Sequence, residues 1–462
     1  MKFTESDFGK DFIWGVSTAA YQIEGGWDAD GKGKSVWDVF SNIKGKIAAD
    51  QNGNIACDFY HRYTQDIATM RQLNIPNYRF SISWSRIIPD GTGIVNTKGI
   101  DFYNRVINFC LELGIEPWIT LYHWDLPYEL EKRGGWTNRE IIGWFGDYVE
   151  LCVKCFGDRV KRWIVLNEPM VFTGAGYFLG AHAPGRKGLN SFLAAAHHAA
   201  MCQAEGGRIV RTLLTDAQVG TTFSCSLIQP FSPSTQDTLA AKRVDTLLNR
   251  MFVEPLAGLG YPVKDLKLLQ RLETFIKDGD ETKLAFDMDF IGVQNYTREL
   301  VTSSKFTPLI WAQIIKAENR NVETTVMKWE VYPESIYEML LKFSKYENFN
   351  EIFVTENGAA FPDVVVNGKI NDEKRKNYLE KHIEQVIRAK NNGVKVNGYF
   401  VWSLTDNFEW AEGYKPRFGL VYIDFNTQKR IIKDSGYWYS KLIQSNEFSV
   451  SLFQNSERRE AV

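Results

Sequence analysis

Short apolar runs, rich in β-branched and aromatic residues, alternate along this chain with longer segments of helical periodicity. The alternation is typical of a parallel sheet whose strands are joined by helical crossovers. Eight runs are predicted to be strands, namely residues 12–17, 77–83, 116–122, 162–166, 219–224, 290–295, 351–355 and 398–403. The segments predicted to be helices include 99–113, 138–156, 191–214, 239–252, 334–346 and 372–391.

Eight strand and helix units favour a closed barrel over an open sheet. We therefore predict an α/β fold, specifically a (β/α)₈ TIM barrel. Because no linker or low-complexity tract interrupts the chain, we expect residues 1–462 to form a single domain. The longest irregular stretch, 297–331, follows the sixth strand and is predicted to be a loop on the rim of the barrel, where loops commonly set specificity.

The charges are almost balanced, since 54 Lys and Arg residues face 56 Asp and Glu residues, for a net charge of −2. Such a chain has no overall field to attract nucleic acid or an anionic membrane, so we expect an uncharged small molecule as its partner. The 14 Trp and 20 Tyr residues supply flat faces with polar edges, which serve protein cores more often than sugar rings.

The six cysteines are sparse for a chain of 462 residues and show no disulfide framework. The first eight residues contain none of the apolar stretch that a secretory leader requires. We therefore expect a cytoplasmic protein.

Polar and aromatic residues follow several predicted strands, at the ends that meet at one mouth of a barrel. Among them, Glu168 and Glu356 come directly after the fourth and seventh strands, where burying an idle charge would be costly. A pair of carboxyl groups is what cleavage of a glycosidic bond needs, one as acid and one as nucleophile or base. Each glutamate taken alone could equally cap a helix or pair with an arginine.

Several segments together resemble glycoside hydrolase family 1, the retaining β-glucosidases, in their residues and in their order. They are Tyr122-His123-Trp124-Asp125-Leu126-Pro127, Asn167-Glu168-Pro169, Thr355-Glu356-Asn357-Gly358 and Asp406-Asn407-Phe408-Glu409-Trp410. The likeness extends from about Phe12 to Tyr439, nearly the whole chain.

The resemblance implies a role for each matching residue. Glu168 would be the general acid and base, and Glu356 the nucleophile. Asn167 would hold the sugar 2-hydroxyl, while Arg79 and Tyr296 would favour the ionised form of Glu356. The remaining matches are the glycone-binding positions Gln22, His123, Trp124, Glu409 and Trp410, the sugar-stacking Trp402, and Trp329 on the aglycone side.

Two details refine this expectation. The carboxylate of Glu409 would repel a phosphate, and the family's enzymes for 6-phosphorylated sugars replace the Glu and Trp found here at 409 and 410, so we expect unphosphorylated substrates. After the sixth strand this chain has Gln294 where the family usually has Asn, which leaves the contact of that longer side chain open.

The resulting hypothesis is a retaining exo-β-glycosidase acting on small-molecule β-glycosides, most simply a β-glucosidase, with no cofactor and no metal. Preference for β-galactosides or β-fucosides is an alternative, because Glu409 would touch the hydroxyls by which these sugars differ. A non-catalytic sugar-binding barrel is an alternative of another class. The presence of both Glu168 and Glu356 speaks against it, since degenerate members lose one of the two carboxylates.

Overall fold

The computed structural model of the protein describes residues 5–457. In this part of the chain the strands are β1 Ile13–Ser17, β2 Asn77–Ser81, β3 Glu116–Tyr122, β4 Arg162–Asn167, β5 Gln218–Ser224, β6 Leu227–Pro230, β7 Phe290–Gln294, β8 Arg298–Ser303, β9 Ala312–Ile315, β10 Glu351–Asn357, β11 Val396–Trp402, β12 Val421–Asp424 and β13 Lys429–Ile432. Eight of them close into a barrel in the order β1, β2, β3, β4, β5, β7, β10, β11. Every pairing in the barrel is parallel, which confirms the predicted (β/α)₈ fold.

The eight barrel strands are the eight predicted ones, and their ends lie within two residues of the predicted ends. The longer helices are α1 Phe59–Gln72, α2 Thr97–Glu112, α3 Ile141–Phe156, α4 Leu189–Leu213, α5 Thr235–Asp245, α6 Glu334–Phe343, α7 Glu373–Asn391 and α8 Asp434–Glu457. Shorter helices are Glu5–Phe8, Ala20–Ile23, Val36–Phe40, Trp84–Ile87, Tyr128–Lys132, Pro169–Thr173, Val253–Leu256 and Asp280–Leu284. Helix α5 begins earlier than the prediction of 239–252, because the Ser234 hydroxyl caps it by accepting from the Asp237 N–H at 3.2 Å. None of the helices described is long and apolar enough to cross a bilayer.

The prediction of an irregular loop over 297–331 is wrong in its first half. Strands β8 and β9 form an antiparallel hairpin there, and β6, which follows β5, pairs with β8 in parallel. The three strands form a small sheet on the rim of the barrel, to which α5 contributes Ala240 and Val244 in a separate apolar cluster. The sheet joins segments about 70 residues apart, so no local pattern marked it.

Aromatic rings fill the barrel beneath the strand ends. The ring of Trp118 lies 4.8 Å from Phe400, 5.0 Å from Phe353 and 5.6 Å from Phe290, each edge to face. A side chain at Gly15 would place its Cβ 2.4 Å from the Phe400 ring, so glycine is required for this packing. The barrel is therefore closed on one side, and open space remains at the carboxyl ends of the strands.

A fully buried ionic network fixes the segment that follows β11. Lys433 Nζ lies 2.5 Å from Asp363 and 2.7 Å from Asp406, and Arg375 pairs with Asp363 at 3.1 Å and also with Asp372. Asp406 in addition accepts a hydrogen bond from the Gly419 N–H at 3.0 Å. Since Asp406 begins the segment that ends at Glu409 and Trp410, these ion pairs hold one side of the barrel mouth.

Replacing Lys433 with methionine should destabilise the protein by about 3–5 kcal/mol, because two buried carboxylates lose their shared cation. Unfolding by denaturant, followed by tryptophan fluorescence, measures this change. Lys376→Met is the matched control, since Lys376 pairs with Glu373 near the surface at 2.9 Å and such pairs are worth at most about 1 kcal/mol. Equal unfolding midpoints for the two variants would contradict the structural role of the network.

Candidate active site

A cavity of about 300 Å³ opens at the carboxyl ends of the barrel strands. Nine of the predicted site residues form its wall, namely His123, Trp124, Glu168, Tyr296, Trp329, Glu356, Trp402, Glu409 and Trp410. The other three, Gln22, Arg79 and Asn167, are completely buried and hydrogen-bond to wall residues from behind. The structure thus brings the twelve predicted residues together around one cavity.

Glu356 stands near the end of β10 and is held by three donors, one from β2, one from the end of β7 and one from the loop after β7. Its Oε1 accepts from Arg79 Nη1 at 2.5 Å and from Gln294 Nε2 at 2.9 Å, and its Oε2 accepts from the Tyr296 hydroxyl at 2.7 Å. The backbone is fixed as well, because a Cβ at Gly358 would come within 1.9 Å of the Trp402 carbonyl oxygen. Both carboxylate oxygens are therefore held in one orientation.

Glu168 reaches the same cavity through an unusual backbone conformation. It follows β4 directly, its φ is +47°, and Pro169 begins a short helix immediately after it. Its N–H donates to the Thr222 carbonyl at 3.0 Å. A left-handed conformation is unfavourable for glutamate, and such strain is concentrated at functional sites; here it sits at the residue whose carboxyl group faces Glu356 across the cavity.

The two carboxyl groups have opposite surroundings. Burial and the nearby charge of Glu356 hold the pKa of Glu168 well above its usual range. Burial also raises the pKa of Glu356, but the Arg79 guanidinium and the Tyr296 hydroxyl offset part of that rise, so it is smaller than for Glu168. A proton shared by the pair therefore resides on Glu168, and Glu356 carries the negative charge.

Asn167 ties the two halves of the site together. Its Oδ1 accepts from Arg79 Nη2 at 2.5 Å, from Gln294 Nε2 at 2.9 Å and from Thr222 Oγ1 at 3.0 Å. Since arginine can only donate, the amide orientation is fixed, and its Nδ2 faces His123 Nε2 at 3.0 Å. One amide N–H of Asn167 is thus used by His123, and the other has no acceptor among residues 5–457.

His123 is neutral in this setting. Burial, together with the charge of Arg79, holds its pKa well below the usual range. Because Nε2 accepts from Asn167, the ring proton is on Nδ1, where it can serve as a donor.

Gln294 is a site residue that the sequence left undecided. Its amide reaches both Asn167 and Glu356 at 2.9 Å, so the side chain that stands in place of the family's usual Asn does contact the nucleophile candidate. Further cavity residues that the sequence did not indicate are His182, Ser224, Glu299, Met327 and Phe418. They lie in loops and strand ends without a recognisable motif, and only the folded chain shows that they meet.

Gln22 and Glu409 meet at one end of the site. Gln22 Nε2 donates to Asn407 Oδ1 at 3.0 Å and to the Phe408 carbonyl at 2.9 Å, and it lies 3.4 Å from Glu409 Oε2. Gln22 Oε1 is buried without a hydrogen-bond partner in the described part of the chain. Burial and the charge of Glu356 raise the pKa of Glu409 to about 8.

Aromatic faces complete the wall. The His123 ring stacks on Trp410 and on Trp402 at 5.9 and 6.0 Å, whereas Trp329 packs against Tyr296 at 5.2 Å near the cavity's other side. Flat apolar faces next to carboxyl and amide groups fit the two sides of a sugar ring, one bearing C–H groups and the other hydroxyls.

Comparison with known proteins assigns the chain to a class of enzyme. The sequence profile of glycosyl hydrolase family 1 matches residues 4–448, and the chain belongs to this family. Beta-glucosidase A of Thermotoga maritima is 45% identical over 442 residues, covering 95% of this chain and 98% of that protein.

A second relative and a solved structure support the same family assignment. The 1,4-beta-D-glucan glucohydrolase of Thermotoga neapolitana is 45% identical over 441 residues, with 95% and 98% of the two chains covered. The structure of the Thermotoga maritima family 1 glycoside hydrolase complexed with a cyclophellitol analogue transition state mimic superposes with a TM-score of 0.91 at 42% identity, again covering 95% and 98%.

Replacing Glu356 with glutamine should lower the pKa of Glu168, because it removes the negative charge that disfavours ionisation of Glu168 while keeping the side-chain shape. Titration of the glutamate carboxyl carbons by NMR measures this, with Glu168→Gln identifying the signal. Glu412→Gln, an exposed carboxyl at the cavity mouth, is the control and should leave that pKa in place. An unchanged titration in Glu356→Gln would show that the two carboxyls do not interact.

Proposed function

We propose that the protein is a retaining exo-β-glucosidase that hydrolyses unphosphorylated β-D-glucosides through a covalent glycosyl-enzyme. The observation that carries this proposal is the asymmetry of the two carboxyls on one cavity: Glu356 is held by Arg79, Gln294 and Tyr296, and Glu168 has its pKa raised by burial and by Glu356. Related proteins named as beta-glucosidases support it.

In the first step Glu168 gives its proton to the glycosidic oxygen while a carboxylate oxygen of Glu356 attacks the anomeric carbon. The bond between that carbon and the leaving oxygen breaks, the aglycone departs as an alcohol, and an ester joins the sugar to Glu356. Arg79 and Tyr296 keep Glu356 ionised and aimed. The free amide N–H of Asn167 is suited to the sugar 2-hydroxyl, a contact that strengthens as positive charge develops at the anomeric carbon.

In the second step water replaces the aglycone. Forming the ester removes the charge of Glu356, so the pKa of Glu168 falls and its carboxylate can take a proton from the water. The water attacks the anomeric carbon, Glu356 leaves as carboxylate, and the product keeps the β configuration. Since the first step needs protonated Glu168, activity should decline as the pH rises through the pKa of that group.

The glycone would lie between the Gln22 and Glu409 end of the cavity and the flat face of Trp402, with hydroxyls bound by Gln22, His123, Trp124, Glu409 and Trp410. A carboxyl at Glu409 offers a phosphorylated sugar no positive charge to pair with, and a second anion next to Glu356 and Glu409 would raise the pKa of Glu409 further. Glu409 would also contact the hydroxyls by which glucosides, galactosides and fucosides differ. A preference for β-galactosides or β-fucosides is therefore the second candidate. Glu356 is held in one orientation and Glu168 carries the proton, which favours an enzyme over a non-catalytic sugar-binding protein.

We also propose that the chain forms one catalytic domain, because the barrel strands extend from Ile13 to Trp402 and the family match covers residues 4–448. A cytoplasmic location is proposed from the six free thiols, which suit a reducing compartment. The near-neutral charge supports a small-molecule partner rather than nucleic acid or a membrane.

A panel of 4-nitrophenyl β-glucoside, β-galactoside and β-fucoside tests the proposal. We expect release of nitrophenol from the glucoside with the highest kcat/KM and, by NMR at early times, β-glucose as the first product. The Glu356→Ala variant supplies the blank, because loss of a nucleophile commonly costs on the order of 10⁵-fold or more. An α anomer as first product would exclude the retaining mechanism, and no release from any of the three would favour the sugar-binding alternative.

Replacing Glu168 with alanine should reduce kcat/KM by about 10²–10⁴-fold for substrates whose leaving alcohol needs protonation. Substrates with an acidic leaving group, such as 2,4-dinitrophenyl β-glucoside, should lose far less in the first step. Kinetics across a series of aryl glucosides with graded leaving-group pKa values measures this, with the wild-type protein as reference. A uniform loss across the series would contradict the role of Glu168 as acid.

A further inference from the structure

Ser224 is a polar residue of the active-site wall that the proposed mechanism does not use. It is the last residue of β5 and lies on the cavity together with Glu168 and Glu356. On one side β5 pairs with β4, which Glu168 follows directly, and on the other side Ser224 pairs with Gln294 of β7. Ser224 therefore stands between the acid candidate and a donor to the nucleophile candidate.

The pairing of β4 with β5 places the Ser224 side chain next to Glu168. Asn167 pairs with Thr222 in the register of the two strands, and the Glu168 N–H donates to the Thr222 carbonyl at 3.0 Å. The Thr222 hydroxyl points into the barrel, since it donates to Asn167 Oδ1 at 3.0 Å. Side chains two residues apart on a strand share a face, so Ser224 points the same way, one step nearer the mouth. There its hydroxyl hydrogen-bonds to the Glu168 carboxyl.

The two carboxyls of the site are held in different ways. Glu356 accepts from a guanidinium, an amide and a phenol. Among residues 5–457 the Ser224 hydroxyl is the one group that hydrogen-bonds to the Glu168 carboxyl. A serine hydroxyl has a single proton to donate, so it binds only one of the two carboxyl oxygens. The other oxygen stays free to carry a proton and to face a substrate.

A neutral partner suits the charges around Glu168. Burial and the charge of Glu356 hold the pKa of Glu168 well above its usual range, and the Ser224 hydroxyl opposes them without cancelling them. A second cation in place of Ser224 would keep Glu168 ionised, and the acid would be lost. The titratable groups that interact with Glu168 or share its cavity wall are Arg79, Glu356, Glu409, Tyr296, Cys225 and the neutral rings of His123 and His182.

We infer that Ser224 is a positioning residue for the acid and base of the reaction, whose hydroxyl donates to one oxygen of Glu168 and keeps the other oxygen aimed at the reacting atoms. In the first step the contact fixes which oxygen carries the proton to the leaving group. Once the proton has been transferred, the same hydroxyl stabilises the carboxylate that remains, because hydrogen bonds to a charged acceptor are stronger. This inference rests on the proposed retaining mechanism and adds a residue to it.

Replacing Ser224 with alanine removes the donor and keeps the backbone. Loss of a bond to the ionised form should raise the pKa of Glu168, so the decline of kcat/KM at high pH should move upward by about half a pH unit to one pH unit. NMR titration of the Glu168 carboxyl carbon should show the same change. At the pH optimum, kcat/KM should fall about three- to tenfold for phenyl β-glucoside, whose leaving group needs a proton, and less than about twofold for 2,4-dinitrophenyl β-glucoside.

Two controls accompany this variant. Ser224→Thr keeps the hydroxyl and should retain the pH profile of the wild type. Ser226→Ala removes another hydroxyl from the same cavity wall and should leave the high-pH decline in place. An unmoved pH profile and titration in Ser224→Ala, or equal losses on the two glucosides, would overturn the inference while leaving the proposed function standing. A wild-type protein that is inactive on both glucosides would instead refute the proposed function, and the NMR titration would still decide whether Ser224 acts on Glu168.

Discussion

The buried guanidinium of Arg79 is the constraint on which the site depends. It is wholly enclosed, and its donors are used by Glu356, Asn167, Thr120 and the Thr355 carbonyl. One cation beside two buried carboxyls stabilises most strongly the one that it contacts, and it compensates the second charge only in part, which is costly in a medium of low dielectric constant. Arg79 thereby determines that Glu356 is ionised and that the proton stays on Glu168.

The barrel supplies the conditions under which a single ion pair has this effect. The rings around Trp118 close the interior below the site, and the network around Lys433 fixes the segment carrying Glu409 and Trp410. Both features limit water and motion near Arg79, so the donors need not reorganise when charge moves during a reaction. The same packing fixes both the Glu409 end of the cavity and the charge pair of Arg79 and Glu356.

Much of this could be predicted from the sequence, and the exceptions share a cause. The barrel strands are local apolar runs that can be seen in the sequence. Glu168 and Glu356 could be identified because burying a charge directly after such a run is costly unless the charge is paired or functional. The rim sheet was missed because Leu227 pairs with Arg298, a contact between short strands far apart in the chain. The bridging contacts of Gln294 to Asn167 and Glu356 depend on which strand ends the closed barrel brings together, which no periodicity encodes.

The rim sheet is also connected directly to the segment whose side chains hold Glu356. Six consecutive residues include Gln294 and Tyr296, which hydrogen-bond to Glu356, and Glu299, which lies on the wall of the same cavity. The segment is anchored at both ends, by β7 in the barrel and by β8 in the rim sheet. Substitutions in the rim sheet can thus leave the donors around Glu356 in place, provided that β7 keeps its register in the barrel.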